Sequence, residues 1–290
     1  MSPRCSRTET PRTLSGDSSR AGDQPMGVPK SEPLKQLRLE RVGQVLWRSL
    51  VDFVYQLRCP LCSNELPGIQ SEVEWRSQPG PEFCAACLDQ LSCQVDHCSR
   101  CGTRMGPHLD NSEGCAQCRD RSLPFEKVVQ LGDYEDQLRR ACINAKGRNQ
   151  QPLAAALANL LWRRERLTFE QARIDLVVPV PQFWMQRIWR PHNSAATLAL
   201  VLARCLKVEF SSHILSKTRW TPDQSSLTAS QRRANLRRAF RTRRATRLAG
   251  RRVMLVDDIL TTGTTAMEAA RALRRAGAAN VVVGVVATVP

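Results

Sequence analysis

Apolar positions along the chain change their rhythm twice. Leu34, Leu37, Val42, Val45, Leu46, Phe53, Val54 and Leu57 recur at near-helical spacing among Arg and Glu, which predicts an amphipathic helix over 34–57. Its apolar stripe suits packing on the rest of the fold, or a position on a membrane surface. Over 58–120 the periodicity disappears, and Pro67, Gly68, Pro79, Gly80, Gly102, Gly106 and Pro107 punctuate a turn-rich segment. From Phe125 onward short unbroken apolar runs alternate with helical stretches. Strands are expected at Val128–Leu131, Asp175–Pro179, within Val208–Leu215, at Arg252–Val256 and at Asn280–Val286. Helices are expected at Asp136–Ala145, at Leu153–Arg166 behind Pro152, at Ser194–Leu206, and at Thr264–Ala276 closed by Gly277. Continuous rather than alternating apolar strands belong to a parallel sheet covered on both faces. The pattern therefore predicts an α/β fold, a mostly parallel sheet flanked by helices.

With 290 residues, 42% of them hydrophobic, the chain carries enough apolar material for a sizeable core. The longest apolar run, near Val281–Val289, falls well short of the ~18 residues that a membrane span needs. Lys and Arg number 43 against 27 Asp and Glu, for a formal charge of +16. That balance favours polyanionic partners, whether nucleic acid, phosphorylated metabolites or an anionic surface. An Arg-rich soluble protein without such a partner has the same composition, and 5% aromatic residues offer few platforms for stacking bases. Residues 1–33 are rich in Ser, Pro and Arg, lack an apolar segment, and contain Glu9, Asp17 and Asp23. They read as a disordered tail rather than a secretory or transit signal, and the expected location is cytoplasmic.

Twelve cysteines change the reading of the middle segment. Eight of them form four Cys-x-x-Cys pairs: Cys59/Cys62, Cys84/Cys87, Cys98/Cys101 and Cys115/Cys118. Such pairs place two sulfurs on one tight knuckle, and two knuckles complete a tetrahedral zinc shell. Sequential pairing puts the first four cysteines on one ion and the last four on a second; a crossed pairing satisfies the spacing too. Four thiolates leave no open coordination position, so both zinc ions would be structural, replacing a hydrophobic core that a loop-rich segment of this size lacks. Cys93, His97 and His108 are spare neighbours, and Cys5, Cys142 and Cys205 have no partner pattern. The last two fall on expected helices as small apolar residues.

The most specific chemistry lies in Val253-Met254-Leu255-Val256-Asp257-Asp258-Ile259-Leu260-Thr261-Thr262-Gly263-Thr264-Thr265. An apolar strand ends in two carboxylates, and a Thr/Gly turn then opens a helix. The carboxyl end of a parallel strand is where open α/β sheets bind ligands. Backbone N–H groups and hydroxyls of the turn favour an anion. Two carboxylates beside an anion site make sense when the ligand also carries hydroxyls or a divalent cation, as a sugar phosphate does.

This segment resembles the 5-phosphoribosyl 1-pyrophosphate (PRPP) loop of type I phosphoribosyltransferases. The resemblance implies that Asp257 and Asp258 hold the ribose 2′- and 3′-hydroxyls and that Thr261, Thr262, Gly263, Thr264 and Thr265 cradle the 5′-phosphate. It extends over roughly 40–290 to the competence protein F family, a zinc-ribbon module fused to a phosphoribosyltransferase domain. Cys59-Pro60-Leu61-Cys62, Asp175-Leu176-Val177-Val178-Pro179-Val180-Pro181, Thr221-Pro222-Asp223-Gln224 and Arg232-Arg233-Ala234-Asn235 carry it. By the same resemblance Lys146, Val180, Arg190, Asn193 and Asn235 contact PRPP, and Arg232 and Arg233 clamp its diphosphate. Where the family has Arg-Gly-Phe-Asn, this chain reads Arg190-Pro191-His192-Asn193. Proline removes an N–H donor at that point.

The implied organisation is a tail over 1–33, the helix over 34–57, a double zinc ribbon over 58–120 and a phosphoribosyltransferase-like domain over 121–290. The implied reaction displaces pyrophosphate from PRPP with a nitrogen nucleophile, assisted by Mg²⁺. No acidic residue separates Asp223 from Asp257, and Arg237, Arg238, Arg241, Arg243, Arg244, Arg247, Arg251 and Arg252 exceed what one diphosphate requires. They form either a nucleic-acid track or a solvated helical face. The alternative function is accordingly a non-enzymatic DNA-handling factor, with single-stranded DNA or a helicase as partner, that keeps a PRPP or nucleotide pocket. The chain stops at Pro290 directly after its last expected strand, so any hood over the acceptor is expected from the zinc module or the helix before it.

Overall fold

In a computed structural model of the chain, the residues described are 58–66, 83–91, 95–106, 114–182, 193–218, 236, 238–243 and 248–290. The chain divides into two units, Met1–Val51 and Asp52–Pro290, and all of the described residues belong to the second. The expected tail, the helix over 34–57, and Cys5, Cys93 and His108 lie outside them. So do the Thr221–Gln224 stretch and Arg190, Pro191, His192, Arg232, Arg233, Asn235, Arg237, Arg244 and Arg247.

In chain order the elements are α1 (Ala85–Leu91), β1 (Lys127–Val129), β2 (Gly132–Asp133), α2 (Asp136–Asn144), α3 (Gln151–Gln171), β3 (Leu176–Pro179), α4 (Ser194–Leu206), β4 (Glu209–Phe210) and β5 (Leu215–Lys217). β6 (Phe240–Thr242), β7 (Arg252–Val256), β8 (Ile259–Leu260), α5 (Thr264–Arg275), β9 (Asn280–Gly284) and β10 (Ala287–Thr288) follow. The main sheet has the order β1-β9-β7-β3-β4, and every pairing in it is parallel. The three central strands, β3, β7 and β9, are apolar beyond their first residue because both of their faces are covered. On β7, Met254 and Val256 face the core shared with α2, α3 and α4, whereas Val253 and Leu255 face the core shared with α5. Val177 against Leu176 and Val178 on β3, and Val282 against Val281 and Val283 on β9, divide the same way.

Helix α4 and strand β7 match their expected limits, and most other differences concern ends. Helix α3 begins at Gln151 and runs past Arg166 to Gln171, with a kink at Glu165 (φ −107°, ψ 18°). Phe169, fully buried, draws the extra turn inward and stacks on Trp162 at 6.1 Å between ring centroids. The last expected strand, Asn280–Val286, ends two residues early. β9 ends at Gly284, and the chain then shifts into a second, three-stranded parallel sheet of order β2-β10-β8. Val286 and Ala287 make that shift by donating their N–H groups to the Asp258 carbonyl at 3.0 and 3.3 Å. This small sheet fixes the chain directly after the two carboxylates.

Both groups of four cysteines rest on this framework. Cys59, Cys87, Phe83 and Leu91 pack in the same core as Leu138, Leu157 and Phe169. The Arg164 guanidinium reaches back from α3 to the carbonyls of Leu91 and Leu131, at 3.2 and 3.4 Å. The second group has a small core of its own, built from Cys98, Met105 and Cys118. No helix among the described residues is long and apolar enough to cross a membrane.

Candidate functional site

Strand β7 delivers Asp257 and Asp258 to the carboxyl edge of the main sheet, both half-buried. The Asp257 N–H still bonds the Gly284 carbonyl at 3.0 Å, so this residue closes the ladder. Its Oδ1 accepts the Asp258 N–H at 2.9 Å, and Asp258 Oδ1 accepts the Ile259 N–H at 2.8 Å. The second oxygen of Asp258 receives the Ser194 hydroxyl at 2.9 Å and the Lys146 ammonium at 3.2 Å. Lys146 comes from the end of α2 and Ser194 from the first turn of α4, so three separate segments converge on one carboxylate.

The electrostatics follow from that crowding. Burial, then the adjacent charge of Asp258, hold the Asp257 carboxyl well above its usual range. Burial alone would lower the Lys146 ammonium, but Asp258 and, further off, Asp257 reverse the sign and raise it. Lys146 therefore stays a cation that can meet an anionic group. Beneath them Cys142, buried on α2, is pushed up to about 12 by burial and by the Asp258 charge, and stays an inert thiol.

The turn after β8 is set by its backbone conformation. Gly263 lies in the left-handed region (φ 69°, ψ 0°), although a Cβ there would meet nothing within 4 Å. Backbone conformation, not space, requires glycine here. Its carbonyl accepts the Met267 N–H at 2.8 Å, which starts α5. Thr261 and Thr262 are exposed, Thr265 is half-buried, and buried Thr264 shares a 2.9 Å hydroxyl contact with Thr262. Asn193 precedes α4 in extended conformation, next to Ser194. Val180 is buried and its N–H is committed to the Val256 carbonyl at 2.8 Å.

The eight paired cysteines gather into two sequential groups, Cys59, Cys62, Cys84, Cys87 and Cys98, Cys101, Cys115, Cys118. Sulfurs from different knuckles lie 3.5 Å apart for Cys62/Cys84, 3.6 Å for Cys98/Cys118 and 3.5 Å for Cys101/Cys115. A tetrahedron of zinc–sulfur bonds near 2.3 Å needs sulfurs about 3.8 Å apart, so the donors fit a metal of that size. In each group one thiol is drawn down and two are pushed up. Burial would raise Cys59 and Cys98, but backbone N–H groups outweigh it and bring both to about 7, those of Cys84, Cys62 and Leu61 at Cys59 and of Cys101, Cys115 and Arg100 at Cys98. Burial and the neighbouring sulfurs push Cys118 up to about 12 and raise Cys87 as well.

Several residues with a clear role here carry no motif. The second group docks on the sheet edge: the Ser99 carbonyl accepts the Val128 N–H at 2.8 Å, and the Gly102 carbonyl accepts from Gln130 Nε2 and Thr288 Oγ1, each at 3.1 Å. His97, a spare histidine in the sequence, pairs through Nε2 with Asp133 at 2.8 Å rather than with the cysteines. Ser194 is indistinguishable by sequence from an ordinary helix-opening serine. Of the arginine stretch, Arg251 pairs with Glu209 at 2.6 Å and Arg252 with Glu126 at 3.1 Å. Those two brace the sheet. Arg241 lies exposed on β6, which pairs with β5 as an antiparallel ribbon, and Arg243 is exposed just beyond it.

The chain is similar to several known proteins. A family model described as the phosphoribosyl transferase domain matches residues 191–290. The DNA utilization protein YhgH of Escherichia coli (strain K12) is 32% identical over 203 residues, covering 69% of this chain and 87% of that protein. Competence protein F of Haemophilus influenzae is 29% identical over 199 residues, covering 67% of this chain and 85% of that protein. A glutamine PRPP amidotransferase from B. subtilis solved with ADP and GMP is 24% identical, but covers 49% of this chain and 28% of that one at a TM-score of 0.32, too slight a likeness to argue from. A parallel sheet whose strand end carries paired carboxylates and a Thr/Gly turn, preceded by two four-cysteine groups and matched along most of its relatives' length, makes this chain a member of the family of DNA utilization protein YhgH and competence protein F, with a phosphoribosyltransferase-type domain.

Proposed function

We propose that the carboxyl edge of the main sheet binds PRPP and transfers its phosphoribosyl group to a nitrogen acceptor. The observation that carries this reading is the Asp258 carboxylate, oriented by Ser194, Lys146 and the Ile259 N–H beside the Gly263 turn. In it, Asp257 and Asp258 receive the ribose hydroxyls, and Thr261 to Thr265 receive the 5′-phosphate at the start of α5. Lys146 stands where it can meet the diphosphate. Val180, Arg190, Asn193, Asn235, Arg232 and Arg233 keep the diphosphate-side roles that the family resemblance implies. No side chain needs to act as a covalent nucleophile, because the site's task is positioning and charge stabilisation. Mg²⁺ carried with PRPP would neutralise the diphosphate, and the crowded carboxylate pair suits a ligand that brings hydroxyls and a cation. Each four-cysteine group would close around one structural zinc ion. The partition into 1–33, 34–57, 58–120 and 121–290 belongs to the same reading.

Calorimetric titration with PRPP and Mg²⁺ tests it, in the wild type and in the Asp257→Asn/Asp258→Asn variant. Saturable binding that disappears in a variant with unchanged circular dichroism is expected; equal affinity in both proteins removes the site assignment. Absence of binding to the wild type would favour the second reading, a DNA-handling factor in keeping with its relatives' names. Exposed Arg241 and Arg243 would then be the first residues to replace, and the salt slope of single-stranded DNA affinity the quantity to follow.

A further inference from the structure

A cavity of about 320 Å³ separates the second four-cysteine group from the Thr/Gly turn. Thr261, Thr262 and Thr264 form one wall, and Thr103, Gln117 and Arg121 face them from the cysteine group. Asp257, Asp258 and Lys146 are absent from the lining, so the cavity meets the turn at the end away from the carboxylates. Under the phosphoribosyl reading that end belongs to the 5′-phosphate, not to the reacting carbon.

The polar lining suits an anion. It offers hydroxyls, one amide and one guanidinium, and no acidic side chain. Thr103 donates its hydroxyl to Gln117 Oε1 at 3.3 Å, which leaves the Gln117 amide nitrogen as a donor. The N–H groups that open a helix have no partner inside it, and α5 opens at this wall with Thr264. Arg121 supplies the only positive charge among the described residues that line the cavity.

The backbone of Arg121 is fixed by the cysteine group on both sides. Its N–H donates to the Cys118 carbonyl at 3.1 Å, and its carbonyl accepts from Arg100 Nη2 at 3.4 Å. The knuckle is in turn tied to β1 and β10 through the Ser99 and Gly102 carbonyls. The Arg121 side chain is exposed, and none of the ion pairs among the described residues includes it. A guanidinium without a carboxylate partner, on a fixed backbone, is suited to phosphate oxygens.

Charge on this wall gives Arg121 a further reason to be there. Four thiolates closed on one divalent ion would carry a net charge of about −2, and Cys101 itself lines the cavity. Such a wall repels a phosphate unless a positive group stands on it.

We propose that Arg121 is a phosphate-binding residue, and that the second cysteine group thereby forms one wall of the sugar-phosphate site. The proposal rests on the phosphoribosyl reading and deepens it, because it gives the 5′-phosphate a ligand from outside the Thr/Gly turn.

Calorimetric titration of the full-length protein with ribose 5-phosphate, and separately with magnesium pyrophosphate, tests it. Arg121→Gln should weaken ribose 5-phosphate roughly tenfold, the range of one lost charge-assisted hydrogen bond. Arg121→Lys should recover part of that loss, and pyrophosphate affinity should stay unchanged in both variants. Unchanged ribose 5-phosphate affinity in Arg121→Gln overturns the proposal. Equal weakening of the two ligands also overturns it, because Arg121 would then act through the fold or the overall field. So does a wild type that fails to bind ribose 5-phosphate.

The Asp257→Asn/Asp258→Asn variant separates the proposal from the reading beneath it. If that variant loses ribose 5-phosphate and Arg121→Gln does not, the phosphoribosyl reading stands and Arg121 is removed from the site. If Arg121→Gln loses affinity and the double variant does not, the cavity holds phosphate without ribose contacts; Arg121 keeps its role and the phosphoribosyl reading fails. Hydrogen–deuterium exchange gives a second readout. Ribose 5-phosphate should protect both 261–265 and 114–121 in the wild type, and only 261–265 in Arg121→Gln. Protection of 261–265 alone in the wild type would show that the cysteine group is no part of the site.

Discussion

The two four-cysteine groups share a donor set and a sulfur geometry, yet the fold holds them by different means. The first is absorbed into the main core, where Cys59 and Cys87 pack with Phe83, Leu91, Leu157 and Phe169. The second has, among the described residues, a core of three buried side chains and is attached to the sheet through backbone and side-chain hydrogen bonds, with His97 and Arg104 both paired to Asp133. Apolar burial is non-directional and spreads a disturbance over a helix face, whereas hydrogen bonds fix position and fail locally. A group held by burial supports the fold; one held by directed bonds can set the shape of a neighbouring site. The same donor set is thus held by apolar burial in one place and by directed hydrogen bonds in the other.

Replacing one ligand in each group is the sharpest way to break this comparison. With zinc held as proposed, Cys59→Ser should lower global stability by about 4 kcal/mol, through loss of that ion and loosening of the shared core. Cys101→Ser should cost less globally, with exchange rising in 95–106 and 114–121 before α2 and α3 are affected. Equal melting temperatures and equal exchange over α3 would show that both groups are stabilised alike.

A smaller effect is expected at Gly102, which has φ 78°. A Cβ there would approach Val128 Cγ1 at 3.0 Å and Gln130 Oε1 and Thr288 Cγ2 at 3.1 Å. Gly102→Ala should therefore cost about 1–3 kcal/mol and detach the second group from β1 and β10. A variant as stable as wild type, with normal exchange over 95–106, would mean that the hydrogen bonds to Gly102 do not anchor the knuckle.

The smallest effect concerns the carboxylates. A folded-state value raised above the unfolded one means that folded Asp257 holds its proton more tightly. Its contribution is most favourable below the unfolded range, near pH 4, and is lost as pH rises through the shifted value. Asp257→Asn removes that loss, so the variant should melt higher than wild type at neutral pH, with the gain fading toward pH 4. A gain independent of pH, or a lower melting temperature at pH 7, would contradict the charge crowding. Under the proposed function, stability and ligand binding would oppose each other at this residue, as is common where binding sites hold like charges together.

Much of this was legible in the chain because the relevant patterns are local. Cys-x-x-Cys states a knuckle in four residues. The apolar run Val253–Val256 followed by Asp257, Asp258 and a Thr/Gly turn states a strand end and a helix start. The limits of α4 and β7 follow from periodicity alone. Other features depend on partners that lie far along the chain and have no sequence signal of their own. Ser194 and Lys146 meet at Asp258, and Asp133 receives His97, only because parallel strands bring their ends to one edge. Phe169 extends α3 only because a buried face is there to receive it.

The sequence by itself thus determined the fold class, the metal-binding donor set and the carboxylate–turn element, since each is written within a short window by period, spacing or residue type. Tertiary structure alone decided that the cysteine pairing is sequential, that the chain after β9 shifts into a second sheet, and that the second knuckle faces the turn across a cavity. The physical reason is that spacing constrains only which residues can be neighbours along one element. Which surfaces meet is set by the packing of both sheet faces and by the hydrogen bonds left to be satisfied at the sheet's edges.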